Sequence, residues 1–176
     1  MGGGNTDTGR QAPSAIPELD KWDRRFMRLA HHLAGWSNEP GRRVGAVIVG
    51  PDNIVRSTGY NGFARGVNDE DPARRDRASG EKYFWSCHAE RNAIYNAARV
   101  GVALAGCRIY VPWYPCGECA KAIVQAGIVE VIAYEPDLDD PRWGAETPKV
   151  ATMLAEAGLR VRLIARLAQT ARGEDD

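Results

Sequence analysis

Apolar residues along the chain switch between two spacings. Trp22, Phe26, Leu29 and Leu33 recur at helical intervals, with Asp20 where an N-cap belongs and Gly35 where a helix would stop, so the pattern predicts a first helix. Residues 44–49 form instead an unbroken apolar run of strand length. Pro51-Asp52-Asn53 makes a turn, and 54–60 reads as a second strand completing a hairpin. The polar stretch 61–82 is long for a connection in a compact domain and is a candidate functional loop. Beyond it the pattern predicts a helix over 87–100, a strand over 108–111, a helix over 116–126 closed by Gly127, and a strand over 129–134. A helix over 147–157 ended by Gly158 and a strand over 160–165 complete the series. The order αββαβαβαβ implies crossovers whose helices cover both faces of a sheet.

Composition narrows the function classes. With 176 residues, 44% hydrophobic and 26% charged, the chain fits one soluble domain, expected over 18–169. Residues 1–17, rich in Gly, Ser, Thr and Pro, and the polar 170–176 are expected to be flexible tails. Lys plus Arg equals Asp plus Glu, 23 against 23, whereas a protein gripping a long phosphate backbone is usually basic. A small-molecule substrate is therefore expected, with no large nucleic-acid partner. No apolar run is long enough to cross a bilayer and the N-terminus has no secretory pattern, so no membrane partner and a cytoplasmic location are expected. In that setting the Cys116–Cys119 pair reads as metal-binding or redox-active rather than as half of a disulfide framework.

Two short motifs carry chemistry. His88-Ala89-Glu90 opens one predicted helix and Pro115-Cys116-Gly117-Glu118-Cys119 opens the next, with a single strand between them. That connection can bring two helix N-termini to one edge of a sheet. A catalytic zinc takes nitrogen and sulfur ligands and keeps one of its four positions open. His88, Cys116 and Cys119 supply three ligands for one Zn²⁺ per chain, and the helix dipole favours the ligating thiolates. Glu90, two residues from a ligand, can reach the fourth position without ligating and act as general base and then general acid. Water activated near neutral pH is what the metal contributes. His31 and His32 lie on the first helix and read as exposed or packing residues.

With these motifs in place the chain resembles the deoxycytidylate (dCMP) deaminase branch of the cytidine deaminase superfamily, over about residues 20–165. The His-x-Glu…Pro-Cys-x-x-Cys arrangement is the signature of zinc nucleobase deaminases. Val44-Gly45-Ala46-Val47-Ile48-Val49, Gly59-Tyr60-Asn61-Gly62, Cys87 to Ile94, Tyr110-Val111 and Gln125-Ala126-Gly127-Ile128 extend the similarity. The resemblance implies a three-layer α/β/α sandwich around a mixed five-stranded sheet. It also implies a homo-oligomer, dimer or hexamer, with active sites near subunit contacts. It implies a zinc hydrolase that deaminates a cytosine nucleotide, dCMP to dUMP and ammonia. Asn61 matches the asparagine that relatives use to hold base or sugar, and the alternative is an Asn-Gly turn. By the same analogy the backbone N–H groups of Ala89 and Cys116 contact the ring and the zinc side, and Trp113 and Tyr114 stack on the base or merely pack at a strand end. Phe84 and Trp85 either wall the pocket or staple the zinc helix.

Two departures bear on the substrate. Relatives often read Ser-Lys-Asp where this chain has Ser37-Asn38-Glu39, which removes a lysine near the nucleotide. Arg42, Arg43, Arg74, Arg75 and Arg77 are candidates to compensate, or are solvated surface arginines. Ala64 stands where the family's loop has proline, although Gly66, Asn68 and Asp69 match the loop that binds a regulatory deoxynucleoside triphosphate (dNTP) in some relatives. Beside dCMP stand a free base, a nucleoside or another aminated heterocycle as substrates of the same chemistry, with tRNA editing disfavoured by the charge balance. A thiol redox protein using Cys116 and Cys119 is the alternative of a different class, and a zinc-stapled binding module is a third.

Overall fold

The computed structural model describes residues 19–167; the expected tails, and the outermost residues of the expected domain, lie outside them. Helix α1, Lys21–Ala34, begins where Asp20 accepts hydrogen bonds from the Trp22 and Asp23 amides. Strands β1, Gly45–Val49, and β2, Val55–Tyr60, pair antiparallel across the turn that carries Asn53 at φ 61°. Later come β5, Arg108–Val111, β6, Glu130–Tyr134, and β7, Arg160–Ile164, each preceded by one helix: α3, Ala89–Val100, α4, Gly117–Gln125, and α5, Thr147–Glu156. The five strands form one sheet in the order β2-β1-β5-β6-β7. β1 runs antiparallel to β2 and β5, while β5, β6 and β7 are mutually parallel.

Alternation along the strands divides the core into two layers. Val47, Val49, Tyr110, Ile132 and Tyr134 face α1 through Phe26, Met27, Ala30 and Leu33. Ile48, Ile109, Val111, Val131 and Ala133 face α3, α4 and α5 through Ala93, Ala97, Ala120, Ile123, Val150 and Leu154. Both faces of the central strands are thus covered, the expected three-layer α/β/α sandwich with a mixed sheet. On the α1 side, buried Asp23 accepts two hydrogen bonds from the Arg162 guanidinium, and it accepts another from the Tyr110 hydroxyl at 3.1 Å.

The expected 61–82 loop is more structured than its composition suggests. It contains strand β3, Gly62–Phe63, a 3₁₀ turn at Pro72–Arg75 and the start of a five-residue helix α2, Glu81–Trp85. Strand β4, Ser86–Cys87, pairs with β3. Cys87 therefore belongs to a strand, and the helix expected from Cys87 starts two residues later, at Ala89, because the Cys87 backbone is committed to Gly62.

Candidate metal and catalytic site

Two helix starts meet at the carboxyl end of β5. His88 is the N-cap residue of α3 and Cys116 that of α4, and neither side chain makes a capping hydrogen bond, so both are free to point into the site. Cys119, one turn into α4, is fully buried. His88 Nδ1 lies 3.4 Å from Cys116 Sγ and 3.5 Å from Cys119 Sγ, and the three ligand atoms all fall within 4.8 Å of one another. A tetrahedral zinc about 2.0–2.1 Å from nitrogen and about 2.3 Å from sulfur sets an N and an S ligand about 3.5 Å apart. The spacing fits the ion.

The donor chemistry fits as well. Left to share protons among themselves, these groups conflict. The hydrogen bond from Cys119 holds the Cys116 thiol down to about 4, with His88 adding to the effect, and the same hydrogen bond together with burial pushes Cys119 far up. The Cys116 hydrogen bond raises His88 against the effect of its burial. A dication removes this conflict, because it stabilises both thiolates and the neutral imidazole at once. Glu90, in the first turn of α3, is 4% exposed. Burial pushes its carboxyl above the ordinary range although His88 opposes the shift, the direction suited to a group that must hold a proton during turnover.

A cavity of about 400 Å³ opens onto this centre and is lined by His88, Ala89, Glu90 and Cys116, with Asn61, Trp113 and Tyr114 around them. The eight residues singled out from sequence thus come together, Cys119 lying just behind the wall. Asn61 is not idle: its Oδ1 accepts from the Val44 amide at 2.7 Å and its Nδ2 donates to the Arg42 carbonyl at 3.0 Å. One N–H and one lone pair of that amide remain for a ligand. Tyr114 also packs against the α3–α5 side of the core. Trp113 lies beneath two guanidiniums, Arg42 at 4.0 Å and Arg166 at 4.8 Å from its ring centre.

Other candidates fall elsewhere. Phe84 is 79% exposed, and Trp85 turns its indole N–H to Glu81 under Arg74; Tyr83, not these two, lines the cavity. Of the five arginines weighed, Arg42 and Arg77 line it. Arg43 caps the Glu39 carbonyl, Arg74 covers Trp85, and Arg75 binds the 69 region. His31 joins its Nε2 to the Tyr134 hydroxyl at 2.7 Å, away from the centre.

Two groups of lining residues escaped the sequence reading. One is Lys82 with Ser86, in the segment just before His88. The other is the stretch between β6 and α5, which contributes Pro136, Asp137, Asp140, Pro141, Arg142 and Trp143, followed by Thr147 at the start of α5. Asp140 organises that stretch by accepting from the Arg142 and Trp143 amides and pairing with Arg42 at 2.8 Å. The Arg142 guanidinium lies 3.5 Å from the centre of the Tyr83 ring, and Trp143 meets His88 edge-on at 5.5 Å. The signal available was positional: ligands of open α/β sheets sit beyond the carboxyl ends of parallel strands, and this stretch follows β6.

The model of the cytidine and deoxycytidylate deaminase zinc-binding region matches residues 20–135. An uncharacterized deaminase in the luxG 3′ region of Aliivibrio fischeri is 39% identical over 145 residues, 81% of this chain and 93% of that one. The deoxycytidylate deaminase of Homo sapiens is 44% identical over 115 residues, 64% of each chain, so the match spans a little under two thirds of that relative. Among solved structures, the dCMP deaminase of cyanophage S-TIM5 in complex with dCMP and dUMP superposes with a TM-score of 0.64. The superposition covers 84% of this chain and 100% of the phage chain at 20% identity, a likeness of fold.

Proposed function

Because the chain belongs to the cytidine and deoxycytidylate deaminase zinc-binding family, we propose that it hydrolyses the exocyclic amine of a cytosine nucleotide, converting dCMP and water to dUMP and ammonia. The observation that carries this reading is the buried Glu90 carboxyl on the first turn of α3, beside a His88–Cys116–Cys119 cluster of zinc dimensions at the wall of one cavity. His88, Cys116 and Cys119 would hold the ion, which supplies Lewis acidity enough to make water a nucleophile near neutral pH.

The chain's own residues do the rest. Glu90 takes a proton from the attacking water and delivers it to the ring nitrogen, then carries the second proton to the departing amine, so that the C4–N bond breaks as the C4–O bond becomes a carbonyl. Asn61 and the Ala89 amide orient the base edge, and Tyr114 and Trp113 exclude bulk water from it. Purified protein is expected to hold about one zinc per chain and to release ammonia from dCMP. Glu90→Gln is expected to lose about 10²- to 10⁴-fold in kcat with zinc retained. Normal turnover by that variant, or a metal-free protein cycling a Cys116–Cys119 disulfide, overturns the mechanism. A panel of dCMP, CMP, deoxycytidine and cytosine followed by ultraviolet absorbance tests the nucleotide assignment.

A homo-oligomer and a dNTP effector belong to the same reading. Exposed Trp36, Tyr60 and Tyr95 surround a second cavity of about 550 Å³, which also presents Phe63, Arg65 and Arg99. Apolar rings at such density suit burial against a second copy. Light scattering with and without dCTP reads both claims; a monomer indifferent to dCTP refutes them. Among the described residues the four cysteines form no disulfide. Among the described residues no helix is long and apolar enough to cross a membrane.

A further inference from the structure

The catalytic cavity has one buried cation, Lys82. Its side chain is 9% exposed, and among the described residues its ammonium has one polar partner, Glu39 Oε2 at 2.5 Å. An ammonium carries three donors, so two remain uncommitted on a group that lines the same cavity as His88 and Glu90. Glu39 is more deeply buried, at 1% exposure, and is fixed from two sides. Its Oε1 accepts from Ser86 Oγ at 2.6 Å, and its amide donates to Ser37 Oγ at 3.2 Å. Lys82 and Ser86 together hold the Glu39 carboxyl below its ordinary range although burial works against them.

Stability alone does not account for this pair. A buried ion pair loses the hydration of both ions, and a well-packed apolar pair of the same volume generally serves a fold at least as well. Of the cavity's other cations, Arg77 is exposed to solvent and the remaining two are engaged by neighbours. Arg42 is paired with Asp140 and laid over Trp113, and Arg142 is laid over Tyr83. Lys82 differs from them in being both desolvated and short of partners, the condition in which a charge-assisted hydrogen bond to a ligand is strongest.

We propose that Lys82 is the residue through which the catalytic cavity selects an anionic substrate, and that Glu39 is a positioning residue that aims its ammonium. This rests on the nucleotide deaminase reading above and supplies the part of it that distinguishes a nucleoside monophosphate from the neutral nucleoside. Glu39 holds the Lys82 ammonium in place, and a phosphate oxygen takes one or both of the remaining N–H donors. Ser86 enters through Glu39, whose second oxygen it occupies.

The test compares wild type with the double variant Lys82→Met/Glu39→Gln, which removes the ammonium without stranding a buried carboxylate. Zinc content, melting temperature, and kcat and KM for dCMP and deoxycytidine are measured on each, together with inhibition by inorganic phosphate. Loss of a charge-assisted hydrogen bond is expected to lower kcat/KM for dCMP about 10- to 100-fold relative to that for deoxycytidine, chiefly through KM, and phosphate no longer competes. Glu39→Gln alone is expected to shift the dCMP KM in the same direction by less. This single variant also keeps the proposal testable if the double variant does not fold. An unchanged dCMP-to-deoxycytidine ratio in a folded, zinc-loaded variant overturns the role of Lys82 and leaves the deaminase reading standing. Wild type that prefers deoxycytidine overturns it equally, whereas wild type that deaminates no cytosine compound overturns the underlying reading and this inference with it.

Discussion

Replacing Gly59 with alanine should damage the catalytic centre without touching it. Gly59 sits in β2 opposite Ala46 of β1 and is buried against α3. A Cβ there would meet the Ala93 amide nitrogen at 2.4 Å, the Ala89 carbonyl oxygen at 2.5 Å and Ala93 Cα at 2.9 Å, all of them backbone. Ordinary contact starts at 3.4 Å, so helix and strand must part by about 1 Å at this point. No side-chain rotation can relieve it. The strand is at the sheet edge and can take part of the shift, and the helix takes the remainder. What moves with the helix is His88, its N-cap, and Glu90 in its first turn, while Cys116 and Cys119 stay on α4. Overpacking of this kind costs about 1–3 kcal/mol, a fall of about 2–10 °C in Tm for a chain of this size. A displacement approaching 1 Å between proton carrier and reacting atoms costs up to about 10²-fold in rate. Zinc should also be held less tightly, since the His88–sulfur distances of 3.4 and 3.5 Å leave no slack. The assay is kcat on dCMP, zinc stoichiometry after dialysis, and thermal melting. Gly62→Ala, whose added Cβ meets nothing within 4 Å, is the control. If Gly59→Ala matches that control in all three measurements, the rigid transmission from β2 through α3 to the site is refuted.

Two further outcomes follow from the electrostatics. Asp23→Asn should destabilise the fold by about 2–3 kcal/mol, below the usual loss for a broken buried pair because Arg162 is a quarter exposed and keeps Glu130 at 3.6 Å. Burial works to raise Asp23, but Arg162 and Tyr110 outweigh it and hold the carboxyl below its ordinary value. Its contribution is therefore complete above the unfolded value near about pH 4 and fades as pH falls through the folded one. Urea unfolding across the acid range should show wild type and variant converging on acidification, and a gap that widened instead would contradict this assignment. In protein stripped of metal by a chelator, Cys116, held down to about 4, should be alkylated by iodoacetamide well before Cys87, whose thiol burial pushes up. Mass spectrometry of timed quenches reads the order, and equal labelling of the two would count against it.

The parts of the molecule legible in sequence are those whose signal is local. The helical spacing of Phe26 and Leu33, the apolar run at 44–49 and the closing glycines at 127 and 158 each report their own element, and the five-stranded sheet follows from their order. The ligand set was legible for the same reason, since His88-x-Glu90 and Cys116-x-x-Cys119 each fit within one turn of helix. What escaped depends on distant partners. A two-residue ladder such as Gly62–Phe63 with Ser86–Cys87 has no period to detect. Lys82, beside Glu81 in a charged stretch, looks like a solvated surface lysine; its burial is decided by Glu39, far back in the chain. Phe84 is a candidate pocket wall from sequence, yet α2 turns Tyr83 toward Arg142 and leaves Phe84 in solvent.

One wall of the catalytic cavity comes from a stretch of chain separate from its centre. Glu90 and the His88–Cys116–Cys119 cluster fall within 88–119, inside the 20–135 region matched by the family model, whereas the wall from Pro136 to Trp143 begins where that region ends. This wall hangs between β6 and α5 and touches the rest of the cavity through Asp140 on Arg42, Arg142 on Tyr83 and Trp143 on His88. Any change to residues 136–146 that reshapes this side of the cavity therefore also reaches the hydrolytic centre, through Trp143 against His88 and through Glu146, which accepts from the Gly117 amide at 3.2 Å.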